Sequence, residues 1–112
     1  MQMRPIALTC GDPSGVGPEL AVAARTALGA TLPFFWIGDP RHLPADAAFQ
    51  EISTPDAAAS VAATTLPVLR HDFAAPALPG QPEAANAAGG IAVIERAVAL
   101  VQSGQAGGIC TA

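Results

Sequence analysis

The stretch Gly11-Asp12-Pro13-Ser14-Gly15-Val16-Gly17-Pro18-Glu19 holds the residues of this 112-residue chain best suited to chemistry. Glycine reaches positive φ and lets a ligand approach the backbone. Aspartate and serine tie down turns, and the free N–H groups at a helix start receive anions. Two known phosphate cradles do not fit. The dinucleotide fingerprint needs a third glycine three residues after Gly17, where Leu20 stands. The phosphate loop needs a lysine, and the chain has none. Asp12 and Glu19 also bring negative charge to the same place, and Glu19 offsets part of the helix dipole. The residues alone leave two readings open: a tight turn beside a site, or a strand–helix connection that needs glycine only for geometry.

The remaining reactive side chains are sparse. Cys10 and Cys110 each sit in an apolar run and are expected as two buried free thiols. His42 reads as a solvated surface histidine. His71 beside Asp72 could form an acid–base pair, since a neighbouring carboxylate raises a histidine pKa, but adjacent residues rarely face each other and a loop-surface pair is the expectation. No close Cys/His spacing suggests a metal site. Arg96 is expected on an exposed helix face.

The elements that must position the loop follow from local pattern. Residues 4–10 read as a buried strand that stops at Gly11. Pro18 suits the first helical position and Glu19 the first turn, so a helix runs through Leu28 with Gly29 as its C-terminal cap. Residues 32–37, including Phe34, Phe35 and Trp36, read as a second strand with core residues on both faces. Together these make a right-handed parallel strand–helix–strand unit. Residues 42–50 are expected as a short helix, residues 52–53 as a brief strand, and residues 66–69 as a strand. Residues 72–83, with Pro76, Pro79, Gly80 and Pro82, form a loop longer than usual. A last helix opens at Asn86 or Ala87, carries an apolar stripe of Ile91, Ile94, Val98 and Val101, and ends at Gly104. A strand at residues 107–111 follows. Its abrupt end implies an N-terminal α/β segment, residues 1–112, of a larger protein.

Here a resemblance enters. "ALTCGDPSGVGPEL" resembles the opening of the 4-hydroxythreonine-4-phosphate dehydrogenases, which have a Gly-Asp/Glu-Pro-Ala/Ser-Gly-Ile/Val-Gly-Pro-Glu/Asp loop after their first strand. Asn86, Gly89, Ile94, Ala97 and Gly104 fall where that family has its Asn/Gly-containing helix, and "GGICTA" is similar to the strand entering its Thr-Ala/Gly-Pro segment. The similarity is strongest at the two ends and weak from Pro40 to Pro82. The resemblance implies an α/β fold like that of isocitrate and isopropylmalate dehydrogenases. It further implies a homodimeric, metal-dependent, NAD- or NADP-linked enzyme that oxidises the hydroxyl of a phosphorylated hydroxy-amino acid, whose product then loses carbon dioxide, in pyridoxal phosphate biosynthesis. By that analogy Gly15, Val16 and Gly17 line the cofactor side of the cleft, and Thr111 matches a threonine on the substrate side. The family's metal-binding histidines match neither His42 nor His71, so the divalent metal's ligands are expected outside this segment, which supplies no catalytic residue.

Composition narrows the alternatives. Charged residues make up 12% of the chain and the formal charge is -4, with five arginines scattered and no basic run, so nucleic acid is not an expected partner. No apolar stretch of membrane-spanning length is expected, and the start of the chain does not read as a signal peptide, so a cytoplasmic protein is expected. Three alternatives stay open: a non-catalytic α/β binding or scaffold module, a related dehydrogenase for another phosphorylated hydroxy acid, and an acyl- or phosphotransferase on the same scaffold.

Overall fold

The computed structural model describes residues 4–111. Five strands form one sheet in the order β3-β4-β2-β1-β5, every pairing parallel. They are β1 (Ile6–Thr9), β2 (Phe34–Gly38), β3 (Phe49–Glu51), β4 (Leu66–Arg70) and β5 (Gly108–Thr111). Three helices connect them: α1 (Gly17–Leu28), α2 (Ala58–Val61) and α3 (Ala87–Gln102). The expected strand–helix–strand unit is present, with Ile6 opposite Phe34 and Thr9 opposite Ile37. The chain moves one way from β1 to β2 and the opposite way from β4 to β5. Right-handed crossovers therefore put α1 and α3 on opposite faces of the sheet.

β2 lies at the centre of the sheet, and all five of its residues are buried. Phe35, Trp36 and Ile37 are wholly inaccessible. Full burial of side chains of this size contributes roughly 1.5–3 kcal/mol each, so this strand dominates the core. Its last residue is Gly38, where the Trp36 ring leaves no room for a side chain: a β-carbon there would stand 2.6 Å from the indole.

Several local expectations are corrected. Residues 42–50 are not a helix. Pro40–His42 is a single 3-10 turn, capped by the Asp39 side chain accepting from the Arg41 N–H, and the chain then extends into β3. The brief strand lies at Phe49–Glu51 rather than 52–53, because pairing with Leu66–Val68 sets its register. Gly29 does end α1, but in right-handed geometry (φ -57°). Its value is close approach: a β-carbon would meet the Ala62 carbonyl oxygen at 2.3 Å. Gly104, by contrast, follows α3 with φ 81°, as a left-handed helix terminus requires.

The apolar stripe of α3 is turned largely away from the sheet. Val93 and Ala97 enter the core, whereas Ile91, Ile94 and Val98 are 61%, 46% and 40% exposed and only Val101 is half-buried against it. The spacing located a face, but the small residues Gly89, Val93 and Ala97 are what fit against the sheet. A β-carbon on Gly89 would stand 2.5 Å from the Phe73 ring. The expectation that no stretch reaches membrane-spanning length is also corrected. Ala84–Gln102 is one continuous helical segment of 19 residues, long and apolar enough by length and composition to cross a membrane. Alanine and glycine supply much of that apolar character, and the helix packs on β1, β2 and β5. Cys10 is buried, but Cys110 is exposed, because β5 is an edge strand.

Candidate ligand cleft

The carboxyl ends of β1 and β5 lead to the loop singled out by its residues. Gly11 takes φ 65°, a left-handed conformation that glycine reaches without strain. Asp12 then closes the turn: its Oδ1 accepts from the Ser14 N–H at 2.9 Å, and its carbonyl accepts from the Gly15 N–H at 2.9 Å. The expected role of Asp12 in tying backbone N–H groups is therefore present. Ser14 is buried and donates through its hydroxyl to the Gln81 carbonyl at 2.9 Å, while the Gly80 N–H donates to the Ser14 carbonyl at 2.8 Å. Two hydrogen bonds thus join the glycine-rich loop to the long loop of residues 72–83.

That long loop is held firmly. Asp39 is wholly buried at the end of β2, and its carboxylate accepts from Arg41 Nε and Nη2, from the Arg41 N–H and from the Phe73 N–H. Burial by itself raises the Asp39 pKa. The Arg41 guanidinium and the two backbone N–H groups more than offset that and hold the carboxyl well below the usual carboxylate range. His42 is buried, which corrects the surface reading. Its Nε2 lies 2.8 Å from the Ala75 carbonyl, and its ring meets Phe73 edge-on at 5.0 Å between centroids. Asn86, also buried, accepts from the Ala75 N–H at 3.0 Å. Asp39, His42 and Asn86 thus grip residues 73–75 from two sides. Sequence reading missed all three roles. The one local signal was Asp39-Pro40-Arg41, an aspartate before a proline-initiated turn.

His71 does not pair with Asp72. Asp72 accepts from Arg70 Nε at 2.7 Å, and Arg70 also reaches Glu51 at 2.8 Å. His71 packs against Phe73 and lies 3.4 Å from Arg96 Nη1, which donates to the Arg70 carbonyl at 2.7 Å. Burial first, then the Arg96 charge, lower the His71 pKa, opposite in direction to a carboxylate-paired histidine. Arg96 is therefore partly engaged rather than free on the helix surface.

Beside the glycine-rich loop lies a cleft of about 520 Å³, lined by Gly11, Asp12 and Pro13 on one side and by Pro82, Glu83, Asn86, Gly90, Ile91 and Ile94 on the other. Gly90 faces Gly11 across it, where a β-carbon would be in ordinary contact, 3.9 Å from the Gly11 carbonyl. The lining is mostly apolar with two carboxylates and no basic group. Gly15 faces a different, smaller recess shared with Arg41 and His42. Val16 is 64% exposed at the start of α1, and Gly17 is buried. Thr111 ends β5 directly opposite Thr9 of β1, exposed at the same sheet edge but outside the lining of the cleft. The proposed cofactor residues and Thr111 therefore share one edge of the sheet without converging on one cavity within these residues. Among the described residues, no three His, Cys, Asp or Glu side chains come together in a way that could hold a metal ion. The side chains present do not fit a divalent metal by themselves.

Fold and cleft together define a parallel α/β domain with a ligand cleft at the carboxyl edge of its strands, where the crossover direction reverses. No family model matches the chain. Curated relatives do. A 4-hydroxythreonine-4-phosphate dehydrogenase of Paracoccus denitrificans is 57% identical over 110 residues, covering 98% of this chain and 33% of the relative. One from Roseobacter denitrificans is 56% identical over 108 residues, covering 96% of this chain and 33% of the relative. Among solved structures, the 4-hydroxythreonine-4-phosphate dehydrogenase of Klebsiella pneumoniae matches with a TM-score of 0.81 at 30% identity, over 97% of this chain and 37% of that one. That of Burkholderia phymatum matches with a TM-score of 0.82 at 27% identity, over 99% of this chain and 36% of that one. Over nearly all of its own length the chain is similar to 4-hydroxythreonine-4-phosphate dehydrogenases, and it spans about a third of the length of the curated relatives it matches.

Proposed function

We propose that this polypeptide is the cofactor-cleft segment of a metal-dependent, NAD- or NADP-linked dehydrogenase acting on 4-hydroxythreonine 4-phosphate or a closely similar phosphorylated hydroxy acid. The observation that carries the reading is the Asp12-closed loop. It stands at the carboxyl edge of the sheet, walls a cleft large enough for a nicotinamide–ribose unit, and belongs to a chain 57% identical to a relative of that name. A nicotinamide cofactor held in the cleft would supply the hydride acceptor for oxidation of the substrate's hydroxyl, with carbon dioxide then lost from the product.

The role assigned to this segment is to bind and orient. The apolar lining and the walls at Gly11 and Gly90 suit a flat ring, and the carboxylates of Asp12 and Glu83 suit ribose hydroxyl donors. On this reading Gly15, Val16 and Gly17, at the start of α1 and outside the cleft lining, lie toward the cofactor's far end, and Thr111 borders the substrate. The cleft lining carries no arginine or lysine, and on this reading side chains outside these residues hold the phosphate groups and the metal. The same reading makes the parent protein a cytoplasmic homodimer with a fold like that of isocitrate dehydrogenase.

Grafting these 112 residues in place of the matching third of the Paracoccus relative gives the complete polypeptide for the test. It should reduce NAD or NADP when supplied with 4-hydroxythreonine 4-phosphate and a divalent metal. Gly15→Val should weaken cofactor affinity, read by fluorescence titration, without unfolding the hybrid. A folded hybrid that binds no nicotinamide cofactor would sink the reading. The 112 residues alone should show no turnover, since metal-assisted hydride transfer needs a positioned cation and an acid–base group.

A further inference from the structure

Ser14 and Gln81 each stand one residue from a wall of the cleft. Ser14 follows Pro13 on the wall made by the glycine-rich loop, and Gln81 precedes Pro82 on the wall made by the long loop. The Ser14 hydroxyl donates to the Gln81 carbonyl at 2.9 Å, and the Ser14 carbonyl accepts from the Gly80 N–H at 2.8 Å. The first wall is braced internally, because Asp12 accepts from the Ser14 and Gly15 N–H groups. The long loop lacks such bracing beside the cleft. Its ties to Asp39, His42 and Asn86 reach no further than Pro76. Every residue from Leu78 to Glu83 is exposed, so packing holds this stretch weakly. Among the described residues, 77–82 make no hydrogen bond outside their own segment except the two to Ser14. Pro79 and Pro82 fix φ and leave the segment few soft dihedrals, so it shifts as a piece about its tether.

We infer that Ser14 is a positioning residue: its hydroxyl latches the long loop to the glycine-rich loop and so sets the distance between Pro13 and Pro82 across the cleft. Ser14 is only 4% exposed, so bulk water does not compete for its bond as it does at the exposed residues around Gly80. Ser14 and Gln81 are both outside the cleft lining, so the latch acts through the two walls and not on a ligand. Its consequence for a nicotinamide cofactor rests on the functional reading above; the latch itself stands apart from it.

Amide exchange in the 112-residue chain tests the latch. Ser14→Ala keeps the carbonyl that the Gly80 N–H meets and removes only the hydroxyl. Exchange of the Gly80 amide should accelerate about fivefold, as loss of one net hydrogen bond allows. The Phe73 amide, held by Asp39, should keep its protection. Unchanged exchange at Gly80 overturns the proposal, and so does an equal loss of protection at Phe73, which marks a general loosening. In the hybrid completed with the rest of the Paracoccus relative, Ser14→Ala should raise the Kd for NAD or NADP, whichever is bound, about fivefold. The kcat at saturating cofactor should stay nearly unmoved, because the fit changes and the reacting atoms do not. Unchanged affinity in a hybrid that binds cofactor overturns the proposal. A parent hybrid that binds neither cofactor sinks the functional reading instead, and exchange at Gly80 then decides the latch alone.

Discussion

Arg41 Nη2 lies 2.8 Å from Asp39 Oδ2, an ion pair in which the carboxylate is wholly buried while the arginine side chain is 48% exposed. The Phe73 N–H donates to the same oxygen at 2.9 Å, so one buried charge ties the end of β2 to the start of the long loop. Removing only one partner of such a pair leaves uncompensated polar groups. Asp39→Ala should therefore destabilise the fold by about 3 kcal/mol, measured by urea denaturation. An effect no larger than that of a surface substitution would show that the loop is held by packing instead.

The same pair sets an acid limb. Because the folded-state pKa of Asp39 is depressed, the unfolded chain takes up the proton first as pH falls. The stabilisation is complete above the ordinary value of 3.8 and is lost below it. Asp39→Asn should flatten the fall of the thermal midpoint below about pH 4. An acid limb as steep as that of the parent chain would place its cause in other carboxyl groups.

His71 acts in the same direction at higher pH. Its folded-state pKa is lowered from 6.5, so stability is full above that value and declines as pH falls through the folded-state pKa, where the unfolded chain is already protonated. Imidazole resonances followed by NMR should show His71 titrating below an unstructured histidine. Arg96→Ala should move it upward by removing the nearby positive charge. No movement would leave burial as the whole cause.

Two glycines should respond differently to alanine. Gly29→Ala drives a β-carbon to 2.3 Å from the Ala62 carbonyl, where α1 meets α2, and should cost about 3 kcal/mol. Gly80 has open space around it but φ 74°, so Gly80→Ala should cost only about 1 kcal/mol of left-handed strain. Chemical denaturation of both variants checks the order, and equal losses would contradict the packing argument.

The two thiols should separate kinetically. Burial pushes the Cys10 thiol up to about 11, while Cys110 is exposed on the edge strand. A thiol reagent at neutral pH should modify Cys110 rapidly and Cys10 only on the timescale of unfolding. Two fast equivalents would show that β1 is more open than its packing implies.

The glycine-rich loop, the first strand–helix–strand unit and the final helix were legible from the residues because each depends on neighbours in sequence. Gly11 permits its own turn, Asp12 reaches two residues ahead, and Pro18 starts its own helix. The resemblance to a dehydrogenase family rested on the same local strings. What only the tertiary structure decided joins residues far apart. Asp39 meets Phe73 across 34 positions, His42 meets Ala75 across 33, and Ser14 meets Gln81 across 67. The strand at Phe49–Glu51 exists because β4 offers it backbone partners, which no propensity in its own residues announces. The 3-4-3 spacing in α3 established that an apolar face exists, but periodicity carries no information about which neighbour a face meets. Steric fit decided that: Gly89, Val93 and Ala97 are small enough to lie against the sheet and Phe73, and the larger isoleucines were left outside.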